Sequence, residues 1–205
     1  MEKKKGLPIY EMVISDTADN SGVDYVALVD EPAIEERGMW MMFDKQKEFK
    51  FKGEPDKQII SGFAMVADMP IYRTDARGEY YVVFKKEVIE SILKKFAKNN
   101  YFNNVNAMHQ DDMKVEGVYM IESFLIDSTK GINTPKGFAK APDGSWYVSY
   151  YVENKQLWDE FLKTGIFKGF SVEGMFGYQL EQKHRVNKEE LEFIQVANEL
   201  LDGLK

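Results

Sequence analysis

The chain has 205 residues, 44% of them apolar and 14% aromatic, so it can bury a core of its own and is read as a single domain over 1–205. Acids outnumber bases 34 to 27 for a net charge of -7, which argues against a nucleic-acid partner, and the absence of cysteine excludes disulfides, a thiolate nucleophile and thiolate metal sites. No apolar run approaches the ~20 residues that span a bilayer, and Met1-Glu2-Lys3-Lys4-Lys5 leads into no apolar leader segment, so a cytoplasmic protein without membrane attachment is expected.

In chain order, β-branched and aromatic runs predict strands at 9–15, 23–29, 59–67, 79–84, 117–126, 145–153 and 166–180. The stretch 35–57 interrupts them. It carries Met39-Trp40-Met41-Met42-Phe43 and then a mixed charged run, and is read as a connector whose apolar cluster packs peripherally. Asp75-Ala76-Arg77-Gly78 and Pro142-Asp143-Gly144 mark hairpin-like links. Between strands, Val88, Ile89, Ile92, Leu93, Phe96 and Ala97 fall at helical spacing and predict an amphipathic helix over 85–100. A second helix is expected from an Asn154 cap to Gly165, burying Leu157, Trp158, Phe161 and Leu162. A third, over 187–203, starts at Asn187 with Glu190 three residues on. The elements define a core over about 8–180 and an α+β class with a substantial sheet.

Ser171 lies in Gly169-Phe170-Ser171-Val172-Glu173-Gly174. Strict alternation puts Phe170 and Val172 on one face and Ser171 and Glu173 on the other, and the two glycines leave room for a backbone to approach. A serine nucleophile needs a general base, and His109 and His184 are the only imidazoles. His109 is followed by the polar Gln110-Asp111-Asp112, which places its ring at a strand end, whereas His184 sits in a charged linker. Two histidines without ligand-spaced partners make no metal site, and there is no phosphate loop or dinucleotide fingerprint, so neither metal nor cofactor is expected. The Gly-x-Ser-x-Gly elbow of α/β-hydrolases is absent because position 173 is Glu.

Several phrases in order resemble the XkdF-like serine proteases of tailed phages and prophages, relatives of prohead proteases. They are residues 26–35, Met69-Pro70-Ile71-Tyr72-Arg73, Glu79-Tyr80-Tyr81-Val82-Val83-Phe84, residues 104–109, Val115-Glu116-Gly117-Val118-Tyr119 and residues 168–174, and together they span about 23–178. The resemblance implies a mostly antiparallel barrel flanked by helices, like the herpesvirus assemblins, with His109 and Ser171 as catalytic pair. It implies a capsid-maturation endopeptidase that cuts scaffold and major capsid proteins inside the procapsid in the bacterial cytoplasm, with a homodimer as the oligomer suggested by assemblins. In more typical members an acidic residue follows the serine in a further strand. Here Asp24-Tyr25-Val26-Ala27-Leu28-Val29, with Pro32-Ala33 behind it, resembles that strand from the N-terminal side. The barrel is therefore read as circularly permuted, with Asp24 as third catalytic member and Asp30, Glu173 and His184 as substitutes for it. Two other readings remain at this stage: an inactive capsid-assembly protein that keeps the protease fold, and an unrelated esterase or amidase with a small closed pocket.

Overall fold

The computed structural model describes residues 7–15, 17–18, 21–30, 50, 52–76, 78–109 and 114–180. The predicted helix 187–203, His184 and the Met39–Phe43 cluster lie outside these residues.

Eleven strands form among them. They are β1 (Ile9–Val13), β2 (Gly22–Val29), β3 (Lys52–Glu54), β4 (Ile59–Met65), β5 (Ile71–Asp75), β6 (Gly78–Val83), β7 (Val105–Ala107), β8 (Val118–Leu125), β9 (Trp146–Val152), β10 (Gly169–Met175) and β11 (Gly177–Leu180). Hydrogen bonding groups them into three sheets of order β11-β1-β6-β5, β10-β2-β7 and β3-β4-β9-β8. Pairing is antiparallel except for β1 with β6 and β2 with β7. The α+β, mostly antiparallel expectation is met. The expected barrel is not continuous among the described strands, since no ladder joins one sheet to the next. Register shifts at Phe63/Met65, Met120/Glu122 and Glu173/Gly174 bend the ladders that do form.

The run 166–180 divides into two strands on different sheets: β10 pairs with β2 and β11 with β1. The connector interval also gains structure at its end, where β3 pairs with β4 and a 3-10 turn covers Pro55–Lys57. The Asp75–Gly78 signal closes the β5–β6 hairpin as expected, with Asp75 opposite Gly78.

Helix α1 (Lys86–Lys98) buries Ile89, Ile92 and Phe96 against the sheets, with Glu87 in its first turn and Lys95 and Lys98 in its last, each sign favourable to the helix dipole. Its Lys95 ammonium donates to the carbonyls of Ser15, Ala18 and Ser21, which ties the β1–β2 connection down onto the helix. Asn154 caps the second helix as predicted, its side-chain oxygen accepting from the Leu157 N–H at 3.0 Å. That helix is short: α2 (Lys155–Leu157) runs into a π-helical turn over Trp158–Leu162. Phe161, expected inside, is on the exposed side and stacks on Phe167 instead. The core centres on Phe96, Trp146, Tyr150 and Phe170, all essentially inaccessible. No helix among the described residues is long and apolar enough to cross a membrane.

Candidate functional site

β2 is the central strand of the three-stranded sheet and carries both halves of the site. Its Ala27 lies opposite Ser171 of β10 on one side and opposite Asn106 of β7 on the other. Paired residues on neighbouring strands share a sheet face, so Ser171, Ala27 and Asn106 form one row, with Glu173 and Tyr25 as the next row on the β10 side. Phe170, Val26 and Leu28 point to the opposite face and are fully buried in the core. The alternation read from the sequence thus holds through Glu173. Beyond that a bulge shifts the register of β2 against β10.

Alanine at 27 gives the site its reach. β7 and β10 are separated by two strand spacings, about 10 Å, and a larger residue in the middle would block side chains leaning over β2. With a methyl group there, Asn106 Nδ2 donates to Glu173 Oε2 at 2.7 Å. The same carboxylate oxygen lies 3.5 Å from His109 Nδ1.

His109 is delivered by a turn directly after β7. Met108 and His109 both adopt left-handed backbone, with φ of 55° and 56°, and the Met108 N–H is held by the Leu28 carbonyl at 3.0 Å. Such a conformation costs a non-glycine residue on the order of 1 kcal/mol or more, and strain of this kind concentrates at functional sites. The ring projects from a strand end, as expected.

The serine itself is 6% exposed, while the His109 and Glu173 side chains are 41% and 29% exposed. Among the described residues no hydrogen bond joins Ser171 and His109; the ring's charged neighbour is Glu173. Asn106 is 1% exposed, and its Oδ1 is buried without a hydrogen-bond partner. In the sequence, the signal for Asn106 is a polar residue between the apolar Val105 and Ala107, which β7 buries.

Asp24 occupies the bulge. Glu173 pairs with Tyr25 and Gly174 with Val23, which leaves Asp24 as the extra residue of β2. Its carboxyl is held above the ordinary range by burial and then by the nearby Glu173 charge. The structure thus brings Asp24 beside Glu173, and gives the contact with the His109 ring to Glu173. Asp30 stands at the end of β2. Gly174 has a role that differs from the expected one: a Cβ there would lie 1.8 Å from the Gly22 carbonyl oxygen, so the glycine admits the chain's own β2 backbone.

A cavity of about 150 Å³ adjoins Ser171. Its walls come from β10, from β1, β4, β5, β6 and β11, and from Val66, Met69, Phe84 and Phe176.

No protein-family profile and no solved structure matches the chain. A curated relative is Protein P4 of Rice tungro bacilliform virus (isolate Philippines), 24% identical over 174 residues, a span covering 78% of this chain and 44% of the viral protein. The chain therefore matches less than half the length of that relative, and the similarity is to a viral protein.

Proposed function

We propose that this chain is a serine endopeptidase of the phage prohead-maturation type, with Ser171 as nucleophile, His109 as general base and Glu173, in place of Asp24, as the carboxylate that holds the ring. The observation that carries the reading is the 3.5 Å approach of Glu173 Oε2 to His109 Nδ1, made by a carboxylate two residues from Ser171 on the same strand face. A carboxylate at Nδ1 keeps the proton there and leaves Nε2 to take the serine proton. The Asn106 donor on the same oxygen fixes the carboxylate in turn. In the reaction the Ser171 hydroxyl adds to a peptide carbonyl while His109 Nε2 accepts its proton. The imidazolium returns that proton to the leaving amine as the C–N bond breaks, and water then releases the acyl group by the same steps.

The assemblin-like, circularly permuted barrel belongs to this proposal. What supports it is the position of β2: a strand from the N-terminal part pairs antiparallel with the serine strand, where other members place a strand that follows the serine. The substrates are scaffold and major capsid proteins inside the procapsid in the host cytoplasm, and the active species is a homodimer. A viral relative is consistent with a role in virion assembly.

One observation favours the second reading, an inert assembly protein that retains the fold: Ser171 is 6% exposed and makes no hydrogen bond to His109. A single experiment separates the two. Purified protein is incubated with the scaffold and capsid proteins encoded beside it, and new termini are mapped by mass spectrometry, in parallel with Ser171→Ala and His109→Ala. Cleavage lost in both variants supports the protease. Full activity in either removes that residue from the mechanism, and intact substrates in every reaction favour the inert protein.

A further inference from the structure

As the extra residue of the β2 bulge, Asp24 has no cross-strand partner in β10, and it sits half-buried beside Glu173. Among the described residues neither a hydrogen bond nor an ion pair reaches its carboxyl, and the charge that acts on it is that of Glu173. Lys114 does not offset the two acids, because it bridges to Asn106 from the side of β7 away from β2. Two like charges side by side, one of them partly desolvated, lower the stability of the free protein at neutral pH. A carboxyl placed in this way is suited to a cation that comes from outside the chain.

A second, independent observation points the same way. Asn106 is 1% exposed, and its Oδ1 is a buried acceptor without a partner. Nδ2 of the same amide lies 2.7 Å from Glu173 Oε2. Amide geometry puts Oδ1 about 2.3 Å from Nδ2, and hence within about 5 Å of that carboxylate. Asp24 and Asn106 thus leave acceptors in excess of donors around Glu173, and the group that would balance them is an N–H donor. The site is open to solvent through the His109 and Glu173 side chains, 41% and 29% exposed. A Lys or Arg side chain can pass that rim with its apolar stem and set its charge at a half-buried carboxyl.

We propose that Asp24, with the Glu173 charge beside it, recognises the basic side chain of a substrate Lys or Arg near the bond that Ser171 cuts. Glu173 is two residues from Ser171 on one strand face, a separation of about 7 Å. An extended peptide advances about 3.4 Å per residue, so the recognised residue stands about two positions from the cut bond. That position rests on the endopeptidase reading; the preference for a cationic side chain does not.

The test has two arms. In the first, Ser171→Ala protein is titrated with acetyl-Ala-Ala-Xaa-Ala-Ala amides in which Xaa is Lys, Arg, norleucine or Glu, norleucine keeping the Lys stem without its charge. The Lys and Arg peptides are expected to bind about tenfold more tightly than the norleucine peptide, and the Glu peptide no better than it. High salt is expected to weaken that advantage and Asp24→Asn to remove it. Equal binding of the Lys and norleucine peptides, or a Lys preference that survives in folded Asp24→Asn protein, overturns the site. In the second arm, the wild-type protein cuts a proteome-derived peptide library, with Lys and Arg expected to be enriched about tenfold at one position near the cut and Asp24→Asn expected to abolish the enrichment. Cleavage without basic enrichment, together with equal peptide binding, leaves a protease without this site. Preferential binding of the Lys and Arg peptides without any cleavage leaves the site and removes the protease.

Discussion

Glu173→Gln tests the central contact while preserving shape. The carboxylate stands 3.5 Å from His109 Nδ1, and it becomes most valuable when the ring turns into an imidazolium during proton transfer. Two unit charges at that separation attract by about 1 kcal/mol if screened as in water and about 5 kcal/mol at an effective dielectric of 20. With His109 at 41% and Glu173 at 29% exposure the pair belongs nearer the lower bound. We expect a loss of about 1.5 to 3 kcal/mol of transition-state stabilisation, a roughly ten- to hundredfold fall in kcat/KM. The glutamine adds a second effect, since its amide can donate to Nδ1 and select the wrong tautomer. Cleavage kinetics on a capsid-derived peptide measure the first effect. Nitrogen-15 spectra of the two histidines measure the second without requiring activity: the wild-type ring is expected to carry its proton on Nδ1, the variant to lose that preference. A variant within about twofold of wild type, with its tautomer unchanged, refutes the assignment. A loss seen in Asp24→Asn and not in Glu173→Gln transfers the role to Asp24.

Gly174→Ala places a methyl 1.8 Å from the Gly22 carbonyl oxygen and 2.8 Å from Val23 Cα, main-chain atoms that cannot swing aside; we expect about 3 kcal/mol or more of destabilisation by urea denaturation, and a loss below about 1 kcal/mol contradicts the model of the bulge. Gly78→Ala is the control, with φ of 98° but open space around the new Cβ, and should cost only about 1 kcal/mol. Removing the Asn154 cap with Asn154→Ala should cost about 1 kcal/mol and lower Tm by about 2–4 °C; an unchanged melting curve would mean that the cap contributes nothing. For Asp24 the sign follows from a raised folded-state pKa: the folded protein holds this proton more tightly than the unfolded chain. Its contribution to stability is therefore complete below the ordinary value of 3.8 and is lost as pH rises through the folded value. Asp24→Asn should accordingly stabilise the protein at pH 7, by less than about 1 kcal/mol given its partial exposure, and flatten the stability profile just above pH 3.8. Lower stability of the variant at pH 7 would reveal a favourable contact of the charged form.

The long strands were legible because β-branched and aromatic residues are dense in them. β2, β4, β6 and β9 are buried almost continuously, β8 carries such residues although only Val118 is buried, and α1 shows helical spacing through Ile89, Ile92 and Phe96. The three strands that escaped had no pattern to offer. β3 is three residues, all exposed, and β7 is three residues, all buried, so neither shows alternation. β5 ends in exposed Thr74 and Asp75, and only its turn was visible. The division of 166–180 into β10 and β11 was equally hidden, because Phe176 continues the apolar run while the chain changes sheets.

The candidate site divides along the same line between local and nonlocal information. Ser171 and Glu173 are two residues apart, and period two alone puts them on one face; Asn106 and His109 come from two strands away, and only the order β10-β2-β7 makes them neighbours. Asp24 was drawn to the site by a strand whose register could not be fixed, since a one-residue step reverses the face. The bulge settles the register by inserting Asp24 opposite the Glu173/Gly174 step. The two carboxyls then occupy different surroundings. Glu173 accepts from Asn106 Nδ2 and lies 3.5 Å from the His109 ring. Asp24 experiences burial and the Glu173 charge, and both favour its protonated form. A group that supports a developing imidazolium has to stand beside the ring, so of these two carboxyls the 3.5 Å approach to Nδ1 suits Glu173 to that task.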